Sequence, residues 1–413
     1  MESFADVIET PCAGIDVHKK GLSVCVSYRG AEGKPVYEVR TYGTKRKNLQ
    51  AMADWFLELG VTDAVIESTA NYWRPVFDQL ETVCKVWLVN PYFVRQLPGR
   101  KTDTADCIWL VQLLRKGLLR TSFIPPQAIR ELRDLTRLRV VRVEHAVKVA
   151  NELRQCLEKA HIKLDSVLSD LLGVSGRAMI RAMVEGQTDP EFLAELAQRR
   201  LRGKIPELRA ALDGRMNEHY RFLLKQYWGL LETLEEQITA LEEEIERRLP
   251  PLEWAVKLLL TVPGIKRLAA ATILAEIGVD TGCFPSARHL ASWSGLCPGN
   301  FESAGKRRSG RCRRGNRFIR RIMVQVALAA AQTKTAYARA LYQRVARHRG
   351  KGRAILAVAN SLIQAIWHML RNRVDYVDFG VDHYERRDKD KITKRLVKQL
   401  QRLGHRVVLQ PAA

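Results

Sequence analysis

Across residues 303–374 the chain has no aspartate or glutamate, yet 18 of those 72 residues are lysine or arginine. Ordinary surfaces intersperse both signs of charge, so this absence argues against a merely solvated face and for a polyanionic partner. Cysteine is sparse and scattered. The eight residues Cys12, Cys25, Cys84, Cys107, Cys156, Cys283, Cys297 and Cys312 form no C-x-x-C pair, and no histidine clusters beside them. That argues against zinc and for incidental or buried thiols in a reducing cytosol. No run approaches the roughly 18 uninterrupted apolar residues of a membrane span. The first twelve residues carry no lysine or arginine, which argues against a signal peptide.

What is present is a chain of 413 residues, enough for two or three domains. It is 46% hydrophobic, so it can build real cores. Its 68 lysines and arginines against 45 acids give a net charge of +23. Nucleic acid is the first partner such a balance suggests, and an acidic membrane surface the second.

The expected fold class is α/β plus all-α. Residues 14–17, 22–28 and 36–42 read as strands, followed by a helix at 45–59, a strand at 64–67, a helix at 72–80, a strand at 85–90 and a helix at 103–116. Three strands, then alternating helices and strands, predict a mixed sheet with helices packed on it, over a domain of about residues 1–125. Pro125-Pro126 opens an all-helical region, 126–250, with a long Arg-rich helix at 128–157 and glycine breaks at Gly173, Gly176, Gly186 and Gly214. Leu224, Tyr227, Leu231, Leu234, Ile238, Leu241 and Ile245 recur at 3-4 spacing, three heptads of an apolar seam. The seam suits a coiled coil at 224–245 that dimerises the protein or spans two domains. It equally suits an amphipathic helix packed within one chain. Pro250-Pro251 marks the start of a mostly helical C-terminal domain, 251–374. There Val262-Pro263-Gly264-Ile265 precedes a small-residue helix at 268–277. Such a turn can hold one nucleic-acid phosphate or be purely structural. Residues 375–413 form a tail of unknown role.

Four carboxylates fall within the first 110 residues: Asp16, Glu67, Asp103 and Asp106. Asp16 interrupts the apolar run Ala13-Gly14-Ile15-Asp16-Val17, and Glu67 ends Ala64-Val65-Ile66-Glu67. Asp103 and Asp106 stand at i and i+3, where one helix face can carry both. An acid inside an apolar strand is costly unless it is paired or binds a metal. The quartet therefore suggests a shared site for Mg²⁺ or Mn²⁺, cations that favour carboxylate oxygens and retain substrate phosphates. The opposite charge is concentrated at Lys306, Arg307, Arg308, Arg311, Arg313, Arg314, Arg317, Arg320 and Arg321, interleaved with glycines. Glycines let a backbone lie close to what arginines grip, and guanidinium suits phosphate. Binding through these residues should be strongly salt-dependent, because each phosphate contact releases counterions. A serine in such a cluster, Ser303 or Ser309, is a possible nucleophile whose alkoxide the guanidinium charge would stabilise.

Gly14-Ile15-Asp16-Val17-His18-Lys19, Ile66-Glu67-Ser68-Thr69-Ala70-Asn71-Tyr72-Trp73 and Lys101-Thr102-Asp103-Thr104-Ala105-Asp106 follow one another in order. Val262-Pro263-Gly264-Ile265, Gly295-Leu296-Cys297-Pro298, Ser303-Ala304-Gly305-Lys306 and Arg314-Gly315-Asn316-Arg317 come after them. In this order and spacing the chain resembles the bridge-RNA-guided insertion-sequence transposases and recombinases. These join an N-terminal RuvC-like DEDD domain, of RNase H fold, to a C-terminal transposase domain with an essential serine. The resemblance implies that Asp16, Glu67, Asp103 and Asp106 bind divalent metal and that Ser303 forms a transient phosphoserine link to DNA, with Ser309 the fallback. It further implies donor and target DNA, a structured non-coding guide RNA, a homodimer or tetramer, and a cytoplasmic, nucleoid-associated place in a bacterial or archaeal cell. Two rival readings fit the same residues. One is a hydrolytic RuvC-like nuclease or junction resolvase, in which water attacks and Ser303 only grips DNA. The other is a nucleic-acid-binding protein with a decayed site.

Overall fold

The structure, a computed structural model, describes residues 8–30, 33–68, 70–94, 105–299, 301–303, 306–312 and 314–409, with backbone alone at 105, 301–303, 306–309, 385, 391 and 392. The chain divides into two compact units, Met1–Ile124 and Pro125–Ala413.

The first unit is a five-stranded mixed sheet with helices on both faces. In chain order it comprises β1 (Cys12–Val17), β2 (Gly21–Arg29), β3 (Pro35–Gly43), α1 (Arg46–Glu58), β4 (Asp63–Glu67), α2 (Trp73–Leu80), β5 (Lys85–Val89), α3 (Pro91–Val94) and α4 (Ala105–Arg115). The strand order is β3-β2-β1-β4-β5. β1–β2 and β2–β3 pair antiparallel, whereas β1–β4 and β4–β5 pair parallel. The expected succession is therefore present, with boundaries shifted by a residue or two.

Alternate strand residues face opposite sides of a sheet. Ile15, Val24 and Ile66 join Met52 and Phe56 of α1 and Val76 and Leu80 of α2 in one core layer. Cys12, Cys25, Val65 and Val89 join Cys107, Leu110 and Val111 of α4 in the other. All six residues of β1 are consequently buried, which is why its sequence does not alternate.

Gly14 sets how closely α4 approaches β1. A Cβ added there would lie 2.4 Å from the Cys107 carbonyl oxygen and 2.9 Å from the Val111 nitrogen. These are backbone atoms, which cannot rotate aside. Gly14→Val is expected to destabilise the first unit by about 3 kcal/mol or more. A denaturant titration followed by tryptophan fluorescence reads this directly, and an unchanged midpoint would mean that α4 does not lie on the strand as described.

In the second unit α5 (Gln127–Lys159) is followed by α6 (Leu164–Val167), α7 (Val174–Val184), α8 (Pro190–Glu195), α9 (Ile205–Leu212) and α10 (Glu218–Arg247). α10 runs antiparallel to α5. Arg248 meets Glu131 at 2.6 Å, Arg139 meets Glu242 at 2.6 Å, and Cys156 Sγ lies 3.7 Å from the Tyr220 carbonyl. Leu224, Leu231 and Leu234 of the apolar seam are thus buried against Leu153, Cys156 and Leu157 of the same chain, with Met179 and Met183 of α7. Trp228 is buried where the heptad reading placed Tyr227, which is only half-buried. Gly176 is not a helix break, as the sequence reading has it. It lies inside α7, where a Cβ would come 2.0 Å from the Leu171 carbonyl oxygen, so its role is close packing.

The remainder of the unit is α11 (Glu253–Leu260), α12 (Arg267–Ile277), α13 (Ala287–Trp293), a hairpin of β6 (Phe301–Ser303) and β7 (Lys306–Ser309), α14 (Arg317–Gln332), α15 (Tyr337–Arg349), α16 (Lys351–Asn372), α17 (His383–Arg387) and α18 (Lys389–Arg402). α16 is long and apolar enough to cross a membrane by composition alone, but Ala354, Val358, Ala359, Ile363 and Ile366 are buried among neighbouring helices. The Pro-Gly turn between α11 and α12 owes its glycine to packing. Gly264 has φ +85°, and a Cβ would lie 2.8 Å from the Val326 carbonyl oxygen of α14. The tail is tied down at its start. The Tyr337 and Tyr384 hydroxyls are 2.8 Å apart, and Arg344 pairs with Asp388 at 2.7 Å.

Candidate carboxylate site and basic hairpin

β1 and β4 run parallel with Ile15 opposite Ile66. One residue further along each strand stand Asp16 and Glu67. Because Ile15 and Ile66 face the α1–α2 layer, Asp16 and Glu67 face the α4 side, on strands about 4.8 Å apart. α4 brings Asp106 to that side in its first turn, and Gly14 holds the helix against β1. The Cys107 thiol reports the convergence. It is raised chiefly by burial, against backbone hydrogen bonds at Ile108 and Cys107, and both Asp16 and Asp106 push it further. Two carboxylates from distant parts of the sequence thus act on one thiol.

Asp16 is only 8% exposed. Its Oδ2 lies 3.0 Å from Nε2 of His18, a largely exposed imidazole that sequence reasoning did not single out as a site residue. Asp103 lies outside the described residues. Among the described residues no three His, Cys, Asp or Glu side chains are grouped closely enough to hold a metal ion by themselves. Asp16, Glu67 and Asp106 nonetheless share one sheet face and offer only hard oxygen donors, a set that suits Mg²⁺ or Mn²⁺ rather than a thiophilic metal.

In the second unit the acid-free stretch begins within the hairpin, at Ser303. Ser303 pairs with Lys306 beside the turn, and Ser309 pairs with Phe301 at the open end. The two candidate serines thus occupy opposite ends of the β-ladder. The segments leaving the hairpin lie on each other. Gly299 N–H donates to the Arg311 carbonyl at 3.1 Å. Cβ atoms at Gly299 and Gly315 would come 2.3 Å from Arg311 O and 2.4 Å from Gly295 N. The glycines of Gly295-Leu296-Cys297-Pro298-Gly299 and Arg314-Gly315-Asn316 therefore serve backbone-to-backbone contact. Arg311, Arg314 and Arg317 are exposed, Arg320 is half-buried, and Arg321 pairs with Glu144 of α5. Arg313 and the side chains of Lys306, Arg307 and Arg308 lie outside the described residues.

Asn316 caps α14, its Oδ1 accepting from Phe318 N at 2.9 Å and Ile319 N at 3.3 Å. Its Nδ2 donates to Oε2 of Glu276 at 2.5 Å. Glu276, on α12, is fully buried. Arg137 of α5 binds it in bidentate fashion, at 2.7 and 2.8 Å. Arg133 donates to the carbonyls of Ala275 and Glu276 at 2.9 and 2.8 Å. Burial lowers the Arg133 guanidinium to about 10, while Glu276 works in the opposite direction. The ring of Phe318 meets both Arg137 and Arg317, their guanidinium carbons 4.6 and 4.7 Å from its centroid. Sequence reasoning missed this network. Its signal was present: Glu276 is the lone acid of an apolar helix, the same anomaly that drew attention to Asp16.

Comparison with known proteins agrees with the order of these parts. Residues 13–162 match a family described as Transposase (DEDD, IS110 type), and residues 256–343 match the Transposase IS116/IS110/IS902 family. The chain is 28% identical to the insertion element IS110 uncharacterized 43.6 kDa protein of Streptomyces coelicolor, over 71% of this chain and 77% of that one. It is 24% identical to the transposase for insertion sequence element IS1111A of Coxiella burnetii, over 88% and 90%. A shorter match, 32% identical over 123 residues, links it to the insertion element IS900 uncharacterized 42 kDa protein of Mycobacterium paratuberculosis. The first match spans Asp16, Glu67 and Asp106, and the second spans Glu276, the hairpin and Asn316. The chain thus carries, over residues 13–162 and 256–343, the two domains of an insertion-sequence transposase of the IS110 family.

Proposed function

We propose that this transposase cuts and rejoins DNA through a serine–DNA covalent intermediate, that divalent cations assist, and that a structured RNA selects its DNA sites. The observation that carries the metal-dependent half is the gathering of Asp16, Glu67 and Asp106 on one face beside Gly14. The same unit, with its five-stranded mixed sheet and flanking helices, supports a RuvC-like reading. Asp16, Glu67, Asp106 and Asp103 would hold Mg²⁺ or Mn²⁺, which when bound lowers the cost of charge on the attacking and leaving oxygens.

The nucleophile in this reading is Ser303. Its oxygen attacks a DNA phosphorus and loses its proton. A phosphoserine ester forms as the P–O bond to the neighbouring sugar breaks, and the departing sugar oxygen takes up a proton. Because one ester replaces another, little bond energy is lost, and a second strand's hydroxyl can reverse the step to join new partners. Arg311, Arg314 and Arg317, exposed and without an acid between 303 and 374, would grip phosphates around the hairpin. In an RNA-guided system base pairing carries sequence choice, so the protein's own contacts go mainly to shape and backbone. In this reading the protein works as a homodimer or tetramer.

Metal removal tests the first half. EDTA is expected to stop strand cleavage of a plasmid carrying the complete insertion element while leaving DNA binding within a few-fold, and added Mg²⁺ or Mn²⁺ to restore cleavage. Undiminished cleavage in EDTA would dismiss the metal-dependent reading.

A further inference from the structure

We infer that Glu276 and Asn316 form a positioning pair that holds the base of the basic hairpin at the working geometry. The inference rests on the hairpin reading above.

Three features of the network exceed what a helix cap requires. An N-cap asparagine needs only its side-chain oxygen, which accepts from the first free N–H groups of the helix. Asn316 does this with Oδ1 and spends Nδ2 separately on Glu276. Glu276 is fully buried, a costly place for a carboxylate, and is held there by Arg137 from a third helix. Well-packed apolar residues in place of both Glu276 and Arg137 would avoid that cost, so stability alone does not account for the acid. The network also ends at the correct place. Asn316 N–H donates to the Trp293 carbonyl, Gly315 lies on Gly295, and Gly299 is bonded to Arg311. Fixing Asn316 therefore fixes both segments leaving β6 and β7, together with the start of the helix that bears Arg317, Arg320 and Arg321. Glu276 and Asn316 touch no substrate in this account. They act through the hairpin.

The separating variant is Asn316→Asp. Aspartate still caps α14, but it has no N–H to give Glu276 and sets a second carboxylate against it. The swap Asn316→Asp with Glu276→Gln reverses donor and acceptor and returns one negative charge beside Arg137. In cells carrying the complete insertion element, the single variant is expected to lower protein–DNA adduct formation about a hundredfold. Affinity of the purified protein for a short mixed-sequence duplex should stay within about twofold, and the swap should recover at least tenfold of the loss. Should Asn316→Asp fail to fold, Asn316→Ser retains a cap without the reach to Glu276 and takes its place. Hydrogen exchange supplies a readout independent of chemistry: the Gly299 amide should lose protection in the single variant and regain it in the swap. Wild-type adduct levels with unchanged Gly299 exchange in the single variant would overturn the pair's role, as would a swap no better than the single variant. If the wild type itself yields no adduct, the serine mechanism falls, and Gly299 exchange still decides this inference.

Discussion

Asp16→Asn is expected to lower strand cleavage about a thousandfold, a loss on the order of 4 kcal/mol of transition-state stabilisation. Asn keeps the shape of the side chain and one oxygen, so the packing of β1 survives. What disappears is the negative charge at the centre of the site, which in the proposed mechanism keeps a divalent cation close to the reacting phosphate. Asp16 is buried on the sheet face that α4 covers, and Asp106 lies in the first turn of that helix. Removing one of two crowded carboxylates relieves repulsion. The variant should thus be as stable as the wild type or more so, the trade expected where a site is built at some cost to the fold. Cleavage of an element-bearing plasmid, together with a thermal melt, measures both. Full activity in the variant would revive the reading of a decayed site.

Ser303→Ala should lower recombination by at least about a thousandfold and abolish the covalent adduct, because no neighbouring group can replace a missing nucleophile. Deleting one oxygen beside the hairpin turn leaves the β6–β7 pairing available, so the expected change in DNA affinity is small. Ser309→Ala is the comparison. Ser309 sits at the other end of the hairpin, paired with Phe301. Its loss should reduce recombination only a few-fold. The reverse ranking, measured by recombination between two element-bearing plasmids, would move the nucleophile to Ser309.

The first unit was legible because its sequence obeys local rules. Strands at 12–17 and 63–67 are dense apolar runs, the first interrupted by an acid and the second ended by one, and that anomaly located Asp16 and Glu67 together. Parallel pairing of β1 with β4 then placed both acids on one face. The role of Gly14 was not legible, since close approach of α4 depends on a helix nearly a hundred residues away. In the second unit, the heptad spacing found the α10 seam but not its partner, because apolar spacing is the same whether the other helix belongs to this chain or another. Trp228 displaced Tyr227 for a related reason: α5 and α7 together cover a broader stripe than a two-helix seam. The tie from Asn316 to Glu276 crosses 40 residues and the tie to Arg137 another 139. No local pattern encodes such a pairing. The lone acid in α12 only announces that a partner must exist.

In the proposed mechanism a serine in the basic hairpin becomes joined to DNA during strand exchange. The most direct measurement is to denature the protein in mid-reaction on element-bearing DNA, digest DNA and protein, and find the modified peptide by mass spectrometry. The expected product is a nucleotide-bearing phosphoserine at Ser303, present in wild type and absent from both Ser303→Ala and Asp16→Asn. Cleaved DNA with free ends and no serine adduct at any time point would contradict it, and would leave a metal-dependent nuclease in which water attacks.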